Sequence, residues 1–115
     1  MWCAVAEVDG EVIGHCSFLP ASQWRGGDAD GDLAHLWQLF VRPAHWGSDA
    51  ARELLEAAVQ AAAERGFDRM RLFAAAGQAR ARRFYEREGW TAPEPPRPDP
   101  AFGMDTVEYR RTVPR

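Results

Sequence analysis

The sequence has no lysine: all 14 of its basic residues are arginine. That bias fits a GC-rich coding sequence and points to no mechanism. Set against 17 acidic residues it leaves a net charge of −3, which opposes a phosphate backbone, so no nucleic-acid partner is expected. Cysteine is scarce. Cys3 and Cys16 are too few for a disulfide framework and lack metal-ligand spacing, and no metal site is expected. No apolar run approaches the roughly 18 residues of a membrane span. The N-terminus also lacks a basic region followed by an apolar signal stretch, so the expected location is cytoplasmic, with no membrane partner.

What remains is ordinary globular material. The 115 residues, 46% hydrophobic and 27% charged, suit one domain over residues 1–115. A chain of this size buries roughly two thirds of its unfolded surface. No internal repeat is visible. "CAVAEVDGEVIGHCSF" reads as two β-rich runs, about 2–8 and 11–19, joined by Asp9-Gly10, a dipeptide suited to a two-residue type I′ turn. Counting outward from Val8 opposite Glu11 puts Cys3 opposite Cys16, at a separation of about 4.5 Å that a disulfide can bridge, while a reducing cytosol favours two thiols. The following "PASQWRGGDADGD" is a polar, glycine-rich loop. Its Asp28, Asp30 and Asp32 resemble a calcium loop only superficially, because glycine falls at the wrong position and Leu39 stands where a glutamate belongs. The loop reads as solvated, or as an acidic lip that attracts a cationic substrate.

"LAHLWQLFV", 33–41, is a mostly apolar strand of the kind covered on both faces, ended by Pro43. A helix follows from about Asp49 to Arg65, with Ala51, Leu54, Leu55, Ala58 and Ala62 along one face and Gly66 as its stop. "RMRLFAA", 69–75, is the next strand, and "QARARRFYERE", 78–88, a second helix stopped by Gly89. A proline-rich loop leads to a last strand at about 104–113. The order describes an α/β (α+β) fold, a mixed, mostly antiparallel sheet with helices packed on it. The turn that opens the first helix offers free backbone N–H groups and a favourable dipole to an anion. Asp49, sitting in that turn, is the anomaly.

"LFVRPAHWGSDAARELL", followed after about twenty residues by "GQARARRFYEREGW", resembles the GNAT superfamily of acyl-CoA-dependent N-acetyltransferases. The resemblance runs from the hairpin to the final strand and implies the GNAT-like acyl-CoA N-acyltransferase fold, with acetyl-CoA as co-substrate. The family's phosphate turn falls on Trp46, Gly47, Ser48, Asp49, Ala50 and Ala51, where Gly47 and Ala51 fit its pattern and Trp46 and Asp49 depart from it. Similarity implies that backbone N–H groups there face the CoA pyrophosphate; a plain strand-to-helix turn capped by Asp49 or Ser48 is the alternative. Gln78 takes the place of an asparagine that bonds the pantetheine. The backbones of Phe40 and Val41 would pair with the pantetheine as an added strand does.

Tyr85 matches the family tyrosine whose hydroxyl lies near the thioester sulfur and can protonate the leaving thiolate; otherwise it is a half-buried aromatic. Acetyl transfer needs a deprotonated amine. The position where many members carry a glutamate base holds His35, a serviceable base near neutral pH or else a satisfied core histidine. Arg80, Arg82, Arg83 and Arg87 hold CoA phosphates or form a solvated face with Glu86 and Glu88. The chain opens at the hairpin, without the first strand and two helices that form much of the family's acceptor site, so it reads as N-terminally shortened. A late start, a protein that works without that wall, or a partner subunit in a homodimer would each account for this. The implied function is acetyl transfer from acetyl-CoA to a primary amine of a small molecule or peptide, by direct attack in a ternary complex. The alternative is a degenerate, non-catalytic module that binds CoA or a protein partner.

Overall fold

A computed structural model describes residues 1–24 and 31–114. Asp28 and Asp30 lie outside the described residues. Six strands form one sheet: β1 (Trp2–Val8), β2 (Glu11–Pro20), β3 (Leu33–Val41), β4 (Arg69–Ala75), β5 (Arg97–Asp99) and β6 (Met104–Thr112). Their spatial order is β1-β2-β3-β4-β6-β5, and every pairing is antiparallel except β3 with β4. The parallel pair is joined by α1 (Ala50–Glu64), and α2 (Ala79–Arg87) connects β4 onward toward β5. This is the mixed α+β architecture expected from the sequence, with one short strand more. Arg97–Asp99 carries Pro98, which an outermost strand tolerates because one side of its backbone needs no partner. No helix among the described residues is long and apolar enough to cross a membrane.

Both helices reach the same buried cluster. Residues paired across strands share a face, and the row Phe18, Leu36, Leu72, Tyr109 points into the core. Against it α1 lays Leu54, Leu55, Ala58, Val59 and Ala62, all nearly solvent-free, while α2 contributes Phe84 and Tyr85. The opposite pleat carries the row Leu19, His35, Arg71, Arg110. Gly66 and Gly89 end the two helices with positive φ, as their placement in the sequence implied.

The first hairpin turns at Asp9 and Gly10, both at positive φ, and Val8 faces Glu11 as expected. The expected pairing of Cys3 with Cys16 is corrected: the register shifts between Ala6 and Glu7, so Cys3 faces Ser17 and Cys16 faces Ala4. That one-residue slip puts the two thiols on opposite faces. Cys16 is fully buried, whereas Cys3 is exposed and its Sγ accepts the Ser17 hydroxyl at 3.2 Å; both are free thiols. The irregularity lies beside Gly14, which cannot carry a side chain. A Cβ there would sit 2.6 Å from the Phe40 carbonyl oxygen and 3.2 Å from the Leu54 side chain. Because the obstructing atom is backbone, Gly14→Ala should cost about 1–3 kcal/mol in urea unfolding; a neutral substitution would show that β2 and β3 are free to separate there.

Candidate active site

β3 and β4 pair only from Leu33 with Arg69 to Leu36 with Leu72, although β3 runs on to Val41 and β4 to Ala75. Beyond those four pairs the strands part, and the gap is a cavity of about 330 Å³. Its helix side is formed by Leu36, Leu39, Leu72 and Ala74 of the sheet with Gln78, just before α2, and Ala81 and Tyr85 of α2. On the other side stand Trp37, Gln38, Phe73, Phe102, Met104 and Thr106.

The phase of the β2–β3 ladder decides which backbone groups enter the gap. Arg42 N–H donates to the Ile13 carbonyl at 2.7 Å, and in an antiparallel pair alternate residues turn both their groups to the same neighbour. Phe40 therefore faces β2. This corrects the expectation that its backbone is available to a ligand; Leu39 and Val41 are the residues that face the gap. Of these, the Val41 carbonyl already accepts the Trp46 indole N–H at 2.8 Å, and the Trp46 ring lies 5.1 Å from the Arg80 guanidinium. Trp46 thus spans from the end of β3 to the start of α2.

Below Trp46 the turn into α1 is built around Gly47, at φ 87°. The Ser48 hydroxyl donates to the His45 carbonyl at 2.6 Å and accepts the Ala50 N–H at 3.3 Å. Asp49 precedes the helix but makes no side-chain cap; its carboxylate is 72% exposed and lies 3.3 Å from Arg52. The carboxylate leaves the helix N–H groups alone, and Ser48, not Asp49, does the capping. Those of Ala51 and Arg52, in the first turn, have no intrahelical acceptor.

Gln78 flanks the start of α2, exposed at the cleft, with its N–H on the Ala75 carbonyl. Tyr85 faces the cleft from the next turns, packed against Phe84, Trp90 and Tyr109. Burial, with a smaller push from Cys16, raises its hydroxyl to about 12, so it stays protonated at neutral pH. α2 is tied to β6 by the buried Tyr109, whose hydroxyl donates to Glu86 at 2.6 Å and accepts from Arg82 Nε at 3.1 Å; Arg82 also reaches the Ala76 carbonyl. Sequence reasoning missed this tie, as it missed Leu39, Phe73, Phe102 and Met104 at the cleft.

His35 is not in the cleft. It is buried on the opposite pleat, between Trp24 and Phe73, with Nδ1 accepting Arg71 Nε–H at 3.2 Å. That bond requires the neutral imidazole with its proton on Nε2. A base needs an open nitrogen toward the substrate; protonating Nδ1 would instead set two cations side by side. This is the setting of a satisfied core histidine, the alternative that the sequence left open for His35. Among the described residues no group of acidic, histidine or cysteine side chains could hold a metal ion.

The family model described as the acetyltransferase (GNAT) family matches residues 1–90. A GNAT-family structure from Desulfovibrio desulfuricans shares 26% identity, with a TM-score of 0.80 over 97% of this chain and 69% of that one. YncA of Salmonella typhimurium, solved with acetyl-CoA, shares 25%, with a TM-score of 0.82 over 98% and 65%. PaiA N-acetyltransferase of Thermoplasma acidophilum, in complex with coenzyme A, supports the fold at 18% identity and a TM-score of 0.74, over 96% and 59%. The chain thus spans about 59–69% of these proteins' length. No curated protein matches it.

Cys16 is pushed up to about 12 by burial first and the nearby Cys3 second, and Tyr85 reaches a similar value. The unfolded chain releases the same protons near about 8.5 and 10. Between those limits the unfolded state binds fewer protons, so stability falls as pH rises from about 9 toward 12, by up to about 1.4 kcal/mol per pH unit for each group. Urea unfolding at pH 7.5 and pH 10.5 should reveal the loss, and equal stabilities would mean that one or both groups ionise in the folded protein.

Proposed function

The chain belongs to the acetyltransferase (GNAT) family, and from that premise we propose that it takes acetyl-CoA into the cleft between β3 and β4 and transfers the acetyl group to a primary amine in a ternary complex. The observation that carries the reading is the parting of the parallel strands, which leaves Leu39 backbone groups on one wall and the protonated Tyr85 on another. Structural neighbours solved with acetyl-CoA and CoA support the choice of co-substrate. The pyrophosphate is assigned to the turn from Gly47 to Ala51 and the pantetheine to the exposed edge of β3, with Gln78 across from it. The amine attacks the thioester carbonyl, the carbon–nitrogen bond forms, and the carbon–sulfur bond breaks. Tyr85 donates its hydroxyl proton toward the departing sulfur while the amine loses a proton to water.

Trp46 favours a second reading. Its indole occupies the Val41 carbonyl that an added strand would use, as in a module that binds CoA weakly without turnover. Melting with acetyl-CoA tests the binding common to both, since a hundredfold excess over Kd should stabilise by about 2.7 kcal/mol. Release of CoA in the presence of amines separates them.

Tyr85→Phe should lower kcat by roughly 10²-fold and leave the acetyl-CoA melting shift in place. An unchanged kcat would remove the tyrosine from the chemistry. Because the Asp49 carboxylate points to solvent and pairs with Arg52, Asp49→Gly should change CoA affinity by less than about threefold in calorimetric titration. A gain well above that, shrinking with salt, would mean that the carboxylate turns toward the phosphates.

A further inference from the structure

We infer that the acceptor is an α-amine bearing an aromatic or branched apolar side group; this rests on the acetyl-transfer reading of the same cleft. The mouth away from the helices is framed by Trp37, Phe73, Phe102 and Met104. Three of these, Trp37, Phe102 and Met104, are among the chain's large exposed hydrophobic residues, at 38%, 48% and 52%. Large apolar side chains left in water around a cavity mark a surface that a ligand covers. The frame comes from three separate segments, β3, β4 and the turn into β6, and its aromatic wall continues through Trp24, which stacks on Trp37.

The second half of the inference concerns the amine. Among the described residues every side chain lining the cleft is uncharged at neutral pH. Among the described residues, the ionisable groups around this mouth are Tyr85 on α2, held protonated, Asp105, next to Met104 but on the opposite pleat of β6, and Arg97 and Asp99 of β5, which pair with Thr106 and Met104 and are engaged by Glu94 and by the Ala101 N–H. Further along the mouth's own face lie His35 and Arg71, bonded to each other, and Glu108, bonded to Arg110. A cleft of this kind favours an amine that arrives already deprotonated. Near pH 7.5 an α-amine with pKa about 7.8 is neutral roughly 250 times more often than an alkylamine near 10.4.

Acetyl transfer should be measured with acetyl-CoA and three probes: phenylalaninamide, glycinamide, which lacks the side group, and 3-phenylpropylamine, which keeps the ring but is a strong base. At pH 7.5 phenylalaninamide should exceed each of the others at least tenfold in kcat/KM. Its lead over phenylpropylamine should shrink toward pH 9 as the alkylamine deprotonates. Phe102→Ser combined with Met104→Ser, both at exposed positions, should reduce the lead over glycinamide below threefold, and leucine at both positions should restore it. Glycinamide or phenylpropylamine performing as well as phenylalaninamide at pH 7.5 would overturn the inference, as would a lead that survives the double serine variant. If acetyl-CoA raises the melting temperature but no probe is acetylated, the transferase reading fails; calorimetry on the CoA-bound protein then decides the apolar mouth, which stands on phenylalaninamide binding at least tenfold tighter than glycinamide and falls on equal binding.

Discussion

The separation of β3 from β4 is the constraint on which the rest of the molecule depends. Four residue pairs hold the two strands in register, and then each continues without the other. A parallel pair requires a crossover, and α1 supplies it, so the turn before α1 necessarily lies at the open end of the gap. The exposed backbone edge of β3 would be a liability if left to water and an asset if a ligand with amide groups lies along it. Divergence of the strands therefore does three things at once: it frees donors and acceptors, places a helix N-terminus beside them, and opens a path through the sheet from one face to the other.

A gap in a sheet must be held open by something other than the sheet. Here α2 is wedged beside it, fastened by a buried hydroxyl that satisfies a carboxylate and a guanidinium together. Each of these bonds has an ionised partner, which makes it stronger than a neutral one. The second guanidinium contact, to Ala76, fixes the short connection from β4 into the helix, where Gln78 begins the cleft wall. Tyr85 is thus positioned from two directions, by the packing of its ring against Trp90 and Tyr109 and by the clamp formed by its helical neighbours.

Elements that rest on local pattern were legible in the sequence. The runs 33–41 and 69–75 are apolar enough to be strands in any context, and the α1 stripe and its glycine stop define a helix without tertiary information. What depended on distant partners was not legible. The register of the first hairpin follows the expected turn until Gly14, where it slips by one residue and separates the two cysteines, and Gly14 itself lies close against β3 and α1. The bond of His35 to Arg71 could not be read either, because a lone histidine on a strand carries no sign of a partner 36 residues away on β4. Phe102 and Met104 come to the cleft from a proline-rich stretch with no periodicity to read, and only the antiparallel return of β6 brings them there. The Tyr109 clamp was invisible for the same reason.

The Asp49 carboxylate before α1 illustrates how a turn can keep its conformation and its cap with a charged side chain in it. What an anion needs at such a turn is a set of unobstructed N–H groups, and the residue that must lack a Cβ is the one at positive φ. That residue is Gly47. Asp49 has φ −80° and ψ 2°, a conformation open to any amino acid, so no glycine is required there for the chain to turn. Ser48 accepts the Ala50 N–H, and the Asp49 carboxylate bonds none of the remaining N–H groups of the first turn. Arg52, one turn into the helix, pairs with the exposed carboxylate at 3.3 Å. A carboxylate fits this position because the two residues before it, Gly47 and Ser48, have taken over the two tasks, conformational and capping, that would otherwise have fallen to it.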